Sequence, residues 1–343
     1  MNELPAYEGV TRFWHPVLAA RALGKKPVRV TVGDKDFALF RDERGTPAAL
    51  LDRCPHRFAP LSAGFVDAGR LTCPYHGWNF DSHGHGRSPS QPSLTRCDAR
   101  AMKVAERAGY LWIADADARE ETLPEATFSS PFEYMGAYSM RFECPLHVAL
   151  DNFSEDEHTP WVHTRLGWLA SDAPKIEYAA HNFEDRTEVE YRAPQRPGLA
   201  MRLFGLGPGA LFVNKWVTRF DPVRTDYTIT HVLPGGSPSS LVLRAVIFMV
   251  PEGKTRTHFR VFVSARDTHP LRSKLTRALA PLVVGLTYKE LWDDARFVPT
   301  VARTPWSFEG MRLGKYDKPL VHNRKLLERI YLSRRPEAAP PSE

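Results

Sequence analysis

The chain has 343 residues, of which 43% are hydrophobic and 25% charged, and its formal net charge is +6. This length exceeds what one hydrophobic core usually serves, so about two domains are expected. The basic residues are scattered along the chain, which indicates a mixed-sign surface and does not favour nucleic-acid binding. The N-terminus lacks the basic start and apolar run of a signal peptide, and the longest apolar stretch, at 278–286, is too short to span a bilayer. We therefore expect a soluble, cytoplasmic protein without a membrane segment.

Short extended segments separated by turns fill residues 27–114. The runs are PVRVTV, DFALF, PAALLD, MKVAE and GYLWIA, with DERGT at 42–46 as a hairpin turn. This pattern is typical of a small all-β unit. An acidic, proline-bearing stretch at 115–124 follows and indicates a domain boundary.

Strand-like runs also dominate the second part of the chain. They lie at 183–191, 211–220, 226–233, 241–250 and 258–265. Because long helices do not intervene, one antiparallel sheet is favoured. Helices are predicted at two places only, around 146–169 and from about 271 to 301, the second interrupted at Pro281 and Pro299.

The predicted fold class is α+β, with an all-β N-terminal domain at 1–118 and a C-terminal domain at 119–333. In the second domain, helices cover an antiparallel sheet in a helix-grip-like arrangement. The tail at 334–343 is polar and rich in proline, and we expect it to be disordered.

Two short motifs in the first domain combine cysteine with histidine. Cys54 and His56 form C-x-H, and Cys73 and His76 form C-x-x-H after an interval of sixteen residues. In a Rieske centre one iron takes two thiolates and the other takes two imidazoles, so each loop must contribute one ligand of each kind. The spacing meets that requirement, and Gly64 and Gly77 permit the tight loops it needs.

A Cys₂His₂ zinc site is the alternative for these four residues. Zinc-finger spacing, however, pairs the cysteines in one turn and the histidines in another, whereas this chain mixes them within each turn. The pattern therefore favours the iron–sulfur cluster. Cys97 and Cys144 are left over and are interpreted as ordinary thiols.

The segment DNFSEDEHTPWVH at 151–163 carries two further histidines, His158 and His163. Histidines five apart in a carboxylate-rich stretch suit a divalent iron, and a carboxylate from elsewhere would complete a facial triad. Because Pro160 follows Thr159 as in an N-cap and first-turn pair, His158 is expected before a helix and His163 inside it. The alternative is a pair of surface histidines among acidic residues.

The third iron ligand is expected on the last long helix, where Glu290, Asp293 and Asp294 offer three carboxylates. Asp294 shares a helix face with Leu291, Phe297 and Val298, whereas Asp293 lies on a more polar face. A carboxylate that faces an apolar interior needs a metal or a partner, so Asp294 is preferred. A solvated helix face is the alternative.

The segments CPHRFAPLSAG and CPYHGWNF resemble the two cluster-binding loops of Rieske oxygenases. The resemblance implies cluster ligation by Cys54, His56, Cys73 and His76, with packing by Tyr75 and Trp78. It extends from FWHPV at 13–17 to the last helix, and is greatest to the vanillate and dicamba demethylase-like monooxygenases. The acidic pair Asp293-Asp294 also resembles a family motif, in which the second residue binds iron.

The iron-binding segment resembles the family pattern N-x-x-D-x-x-H-x-x-x-x-H. Asn152, His158 and His163 match it, but Glu155 stands where the family usually has aspartate. In the family this carboxylate relays an electron from a cluster histidine of one subunit to an iron ligand of its neighbour. The resemblance therefore assigns the relay to Glu155, with Asp156 as the alternative.

Membership would imply a 2Fe–2S cluster, Fe(II) and O₂ as co-substrate. Electrons would come from NAD(P)H through a ferredoxin or flavin reductase to a homo-oligomer, expected to be a trimer. The expected reaction is hydroxylation or O- or N-demethylation of a small organic substrate; the alternatives are cis-dihydroxylation, desaturation or oxidative cyclisation. From a different class, the chain could be an electron-transfer protein that only docks a partner. Phe204, Phe212, Trp216 and Phe248 could line a pocket, although alternating strand positions are more often core.

Overall fold

The computed structural model describes residues 7, 9–95, 97–119, 123, 131–163, 167–196, 206 and 209–332. It divides the chain into two compact units. The N-terminal unit contains the described residues between Pro5 and Leu123 and those from Glu328 onward, and the C-terminal unit contains those between Pro124 and Leu327. The domain boundary at 118/119 stays a prediction, and the tail at 334–343 lies outside the described residues.

The described part of the N-terminal unit is built from two antiparallel sheets, as expected for an all-β domain. Its strands are β1 (His15–Ala19), β2 (Val28–Val32), β3 (Lys35–Arg41), β4 (Pro47–Leu51), β5 (Phe65–Asp67), β6 (Arg70–Thr72), β7 (Asn79–Phe80), β8 (Gly86–Arg87), β9 (Ala101–Arg107) and β10 (Tyr110–Ala114). One sheet has the order β1-β10-β9-β4-β3-β2, and the other runs β5-β6-β7-β8. The strands of the small sheet have two or three residues, too few for a period-two pattern to reveal them.

The C-terminal unit contains one seven-stranded antiparallel sheet, which confirms the α+β class. Its strands are β11 (Glu133–Phe142), β12 (Glu177–Asn182), β13 (Arg186–Pro194), β14 (Leu211–Phe220), β15 (Val223–Val232), β16 (Leu241–Pro251) and β17 (Thr257–Asp267). Their order is β11-β17-β16-β15-β14-β13-β12. Strands β11 and β12 were not predicted from the sequence; all but one of their side chains are exposed or half-exposed, so neither strand shows a regular alternation of buried and exposed residues.

The helices of this unit depart from prediction in three respects. They are α1 (Leu146–Asn152), α2 (Thr159–Val162), α3 (Pro270–Ala278), α4 (Ala280–Phe297) and α5 (Leu320–Leu326). The helix expected at 146–169 is therefore two short helices, and His163 follows α2 instead of lying inside it. The prediction of helices at two places only is wrong, because α5 forms a third.

Helix α5 escaped prediction because it buries polar groups as well as apolar ones. Asn323 is fully buried, accepts a hydrogen bond from Thr187 Oγ1 (2.8 Å) and donates one to Ser154 Oγ (2.8 Å). Buried Arg324 forms an ion pair with Asp151. Because such a helix face is not uniformly apolar, the hydrophobic periodicity of the sequence does not indicate a helix here. Among the described residues, no helix is both long and apolar enough to cross a membrane.

Candidate active site

Two loops of the N-terminal unit, at 54–60 and 73–78, present the cysteine and histidine motifs. In the first loop the Cys54 N–H donates to the Ala59 carbonyl (2.9 Å), and in the second the Cys73 N–H donates to the Trp78 carbonyl (2.7 Å). Gly77 has a φ of +72°, a left-handed conformation that a residue with a Cβ adopts at a cost. Each loop is thereby closed so that its cysteine and histidine lie close together.

The four residues, named here the cluster quartet (Cys54, His56, Cys73 and His76), divide into an inner and an outer pair. The two cysteines are 1% and 2% exposed. The two histidines are exposed, and their ring centroids lie 4.6 Å apart. Trp78 stacks on His56 at 4.7 Å and Tyr75 packs against His76 at 3.8 Å, as expected for these neighbours.

This arrangement fits a two-iron cluster better than a single zinc ion. Around one tetrahedral zinc the ligand atoms would lie about 3 to 4 Å apart. In the described part of the chain, however, no three ligand atoms of the quartet lie within 4.8 Å of one another. Burial raises the pKa of the Cys54 thiol to about 11, although the backbone N–H groups of His56 and Arg57 lower it, and Cys73 raises it further. A buried thiol pair of this kind needs bound cations to become two thiolates.

A second group of ligand atoms lies in the C-terminal unit. His158, His163 and Asp294, named here the metal triad, form the one group found among the described residues whose ligand atoms all lie within 4.8 Å. The two Nε2 atoms are 3.2 Å apart, and Asp294 Oδ1 is 3.6 Å from His158 Nε2 and 3.5 Å from His163 Nε2. Adjacent ligands about 2.1 Å from a first-row divalent metal lie roughly 3 Å apart. The donor set and its spacing suit a facial triad with open positions.

The structure distinguishes between the two aspartates on α4. Asp294 is 4% exposed, and its Oδ1 has no hydrogen-bond partner. Burial raises the pKa of Asp294, while His163 and His158 lower it. Asp293 forms an ion pair with Lys289 one helical turn away. Asp294, and not Asp293, is therefore the carboxylate that joins the two histidines.

Glu155 and Asp156 also have separate surroundings. Glu155 accepts a hydrogen bond from His158 Nδ1. Asp156 instead accepts hydrogen bonds from Thr159 Oγ1 (2.8 Å) and Trp168 Nε1 (2.7 Å). Burial lowers the pKa of His158, but the carboxylates of Glu155 and Asp294 outweigh that effect and raise it to about 9.

Two further polar residues adjoin the triad. Glu290, a carboxylate of the same helix to which the sequence assigned no role, has its Oε2 3.1 Å from His163 Nδ1, although neither atom completes a regular hydrogen bond. Its position one helical turn before Asp294 is a signal that could have identified it. Asn152 lies beside Asp294 and lowers its pKa, although Asn152 Nδ2 makes no regular hydrogen bond.

The metal triad lies in the wall of a cavity of about 150 Å³. Most of its other walls come from alternate residues of neighbouring strands, which face the same side of the sheet. Phe212 on β14 pairs with His231 on β15, and Trp216 with Tyr227, so their side chains share this face. Phe212 and Trp216 line the cavity, whereas Phe248 is buried but does not line it. Phe204 lies outside the described residues.

A second cavity, of about 60 Å³, adjoins the first. The two share Gly167, Phe212, Ile229, Ala245 and Thr287 in their walls. Leucine and valine side chains dominate the remaining lining of the second cavity. A second, mainly apolar cavity thus shares part of its wall with the cavity that the metal triad lines.

Comparisons with known proteins find a matching family model and several similar oxygenases. A family model described as the Rieske [2Fe-2S] domain matches residues 13–100. The oxygenase component of dicamba O-demethylase from Stenotrophomonas maltophilia is 29% identical over 273 residues, which are 75% of this chain and 78% of that protein. Chloroplastic chlorophyllide a oxygenase from Chlamydomonas reinhardtii is 32% identical over 216 residues, or 60% of this chain, which spans only about a third (33%) of that relative's length.

A solved structure shares the fold. The crystal structure of dicamba monooxygenase bound to dicamba matches with a TM-score of 0.72 at 24% identity, and the match covers 93% of this chain and 96% of that one. The similarity extends over both compact units. Residues 13–100 therefore match the Rieske [2Fe-2S] domain, and the chain is similar in sequence to the oxygenase component of dicamba O-demethylase and in fold to dicamba monooxygenase.

Proposed function

We propose that the cluster quartet holds a 2Fe–2S cluster, that the metal triad binds Fe(II), and that the protein uses both to oxygenate a small, largely apolar organic substrate. The observation that carries this proposal is the convergence of three ligand atoms at the wall of a mainly apolar cavity. Bound there, Fe(II) would supply the activation of O₂. The buried Asp294 oxygen, which has no protein partner, supports a metal at this position.

The protein's own contribution is to orient ligands and exclude water. Glu155 accepts a hydrogen bond from Nδ1 of His158, so Nε2 of that ring remains available to bind the metal. Glu290 lies against the corresponding nitrogen of His163. The apolar walls would hold a hydrocarbon surface and keep bulk water from the reacting carbon.

The reaction we propose is hydroxylation of a C–H bond. Where the attacked carbon is a methyl group on oxygen or nitrogen, the hydroxylated product loses formaldehyde, and the net reaction is demethylation. Support comes from the apolar cavity and from the dicamba O-demethylase relative. Oxygen labelling separates this reaction from cis-dihydroxylation, which transfers both atoms of one O₂ to the product.

Electron supply would require other proteins and other subunits. We propose that a ferredoxin or flavin reductase passes electrons from NAD(P)H to the cluster of a homo-oligomer, expected to be a trimer. Glu155 would then link His158 to His76 of the partner subunit. The exposed imidazole of His76 and the bond from His158 to Glu155 support this route.

The test is turnover by iron-loaded protein with a generic NADH-dependent reductase. Methoxy-aromatic and N-methyl compounds would be screened for formaldehyde release and for ¹⁸O from labelled O₂ in the hydroxylated product. Asp294→Ala should abolish product while it retains the visible absorbance of the cluster. Product formation at the wild-type rate by this variant would contradict the proposal, because the large domain would then act without the triad.

A further inference from the structure

Helices α3 and α4 present an exposed row of residues that the proposed chemistry does not use. Two backbone hydrogen bonds continue the helical path from α3 into α4: the Leu279 N–H donates to the Leu275 carbonyl (2.9 Å), and the Val283 N–H donates to the Leu279 carbonyl (3.0 Å). Residues that recur along a helix at alternating intervals of three and four share one side. The residues that do so here are named the outer stripe: Leu275, Ala278, Leu282, Gly285, Lys289, Trp292 and Arg296.

The first half of the outer stripe is apolar, and the second half combines an aromatic ring with cations. Leu275 and Leu282 are each 46% exposed, and Trp292 is 38% exposed. Lys289 Nζ lies 4.3 Å from the centroid of the Trp292 ring, and the Arg296 guanidinium lies 4.7 Å from it. Large apolar side chains exposed together on one surface indicate a site that contacts another molecule or a membrane.

The inner side of the same two helices forms part of the cavity walls. Val283 and Leu286 line the second cavity, Leu291 and Asp294 line the first, and Thr287 lines both. One helical path therefore lies between the outer stripe and the cavity that the metal triad lines. A molecule at the outer stripe is about one helix diameter, roughly 10 Å, from that cavity.

The charges beside the outer stripe favour an anionic partner. Among the described side chains of α3 and α4, the exposed or half-exposed basic residues are Lys274, Arg277, Lys289 and Arg296. Two carboxylates oppose them, Asp293 in an ion pair with Lys289 and Glu133 of β11 in an ion pair with Arg277. Glu290 and Asp294 instead face the histidines of the metal triad. Four positive and two negative charges leave this outer side with a net charge of +2.

We propose that the outer stripe docks on the surface of an anionic lipid bilayer, with its leucine and tryptophan side chains among the headgroups and its cations at the lipid phosphates. Leucine and tryptophan beside lysine and arginine are typical of helices that lie in the plane of a membrane interface. Tryptophan also prefers the level of the headgroups. A second copy of the chain is a poorer occupant, because it would bring the same positive charges to the contact.

Docking at this surface would give an apolar substrate a short route from lipid to the cavity. Such a molecule partitions into the bilayer, and it would reach the metal triad without crossing bulk water. This use of the surface rests on the proposed function, whereas the docking itself does not.

The test is cosedimentation of the full chain with vesicles of phosphatidylcholine alone or of phosphatidylcholine mixed with phosphatidylglycerol. The partition coefficient should be about 10- to 100-fold higher on the anionic vesicles, since each basic residue near such a surface adds to the attraction. High salt should remove this difference, because salt screens the attraction. Protein that sediments with neither kind of vesicle, or equally with both, would overturn the inference.

Variants test the assignment of the leucines. The double variant Leu275→Ser/Leu282→Ser should bind anionic vesicles at least about tenfold more weakly than the wild type, because it buries less apolar surface in the lipid. Leu313→Ser is the matched control: Leu313 is 42% exposed but lies outside α3 and α4, so this variant should bind as the wild type does. Circular dichroism and cluster absorbance show whether each variant is folded.

Two results with the double variant would contradict the proposal. Wild-type binding to anionic vesicles would show that the outer stripe does not contact lipid. A smaller oligomer than the wild type in light scattering would instead show that the outer stripe joins copies of the chain.

Turnover is measured separately, with reductase, O₂ and the substrate screen supplied in the vesicles. Vesicle binding without oxygenated product counts against the proposed function alone. Product from protein that binds no vesicle counts against the docking alone.

Discussion

The carboxylate of Glu155 accepts a hydrogen bond from Nδ1 of His158, and Nε2 of the same ring faces His163 and Asp294. In iron-loaded protein, Glu155→Ala should therefore slow electron transfer between the two metal centres by about 10- to 100-fold, the range typical for partners of metal-bound histidines. Stopped-flow oxidation of the reduced cluster, with substrate and O₂, measures this rate. Glu155→Asp, which restores the family's residue, should recover part of it. An unchanged rate in Glu155→Ala would show that Glu155 takes no part in electron transfer between the two centres.

Asp156 should matter for stability and not for electron transfer, because both its oxygens are occupied within the unit. Asp156→Asn leaves Thr159 Oγ1 or Trp168 Nε1 facing an amide NH₂. We expect a loss of about 1 to 3 kcal/mol in the free energy of unfolding, measured by urea denaturation. Cluster oxidation as slow as in Glu155→Ala would instead identify Asp156 as the relay.

The two aspartates of α4 should differ in iron content. Asp294→Ala should lower the iron from about three to about two atoms per chain, since a Rieske cluster holds two. Asp293→Ala removes the ion-pair partner of Lys289 but no atom of the metal triad, and should leave about three. Elemental analysis together with the EPR signal of the reduced cluster measures both centres. The reverse pattern would assign the ligand to Asp293.

Gly64 should be required for cluster binding. A Cβ at this position would lie 1.9 Å from the Thr72 carbonyl oxygen, which is backbone and cannot move aside cheaply. Gly64→Ala should therefore displace the second loop and lower the visible absorbance per chain. Gly24→Ala is the matched control, because a Cβ at Gly24 meets nothing within 4 Å. Full cluster content in Gly64→Ala would show that the loops tolerate the displacement.

Acid should destabilise the C-terminal unit through buried neutral histidines outside the metal triad. Burial lowers the pKa of His147, His231 and His258 to about 4 from 6.5. Since the unfolded chain binds these protons first, the free energy of unfolding should fall between pH 6.5 and about 4. The slope is at most about 1.4 kcal/mol per pH unit for each histidine.

The control for this pH dependence is His147→Gln, which removes one of the three histidines. The slope of its unfolding free energy against pH should be shallower than that of the wild type by up to about 1.4 kcal/mol per pH unit, the contribution of one histidine. Parallel slopes in urea titrations of the two proteins would show that His147 already binds a proton in the folded state.

Much of the chemistry was predictable because its residues are close together in the chain. The cluster quartet occupies two short motifs, and His158 and His163 are five residues apart, so spacing alone indicates which metals they suit. The α+β class could also be predicted from the sequence, since strand and helix periodicities are local properties. The ligand roles themselves stay predictions that the experiments above test.

Tertiary structure decided which side chains meet across long separations. Helical periodicity favoured Asp294 over Asp293, but only packing brings Asp294 to the two histidines. Adjacent carboxylates such as Glu155 and Asp156 look alike in a sequence, and they differ because one contacts His158 while the other is held by Trp168. Which side chain a carboxylate contacts depends on how distant strands and helices pack together, and no local sequence pattern encodes that packing. The exposure of the outer stripe and helix α5, with its buried polar face, became visible only in the fold for the same reason.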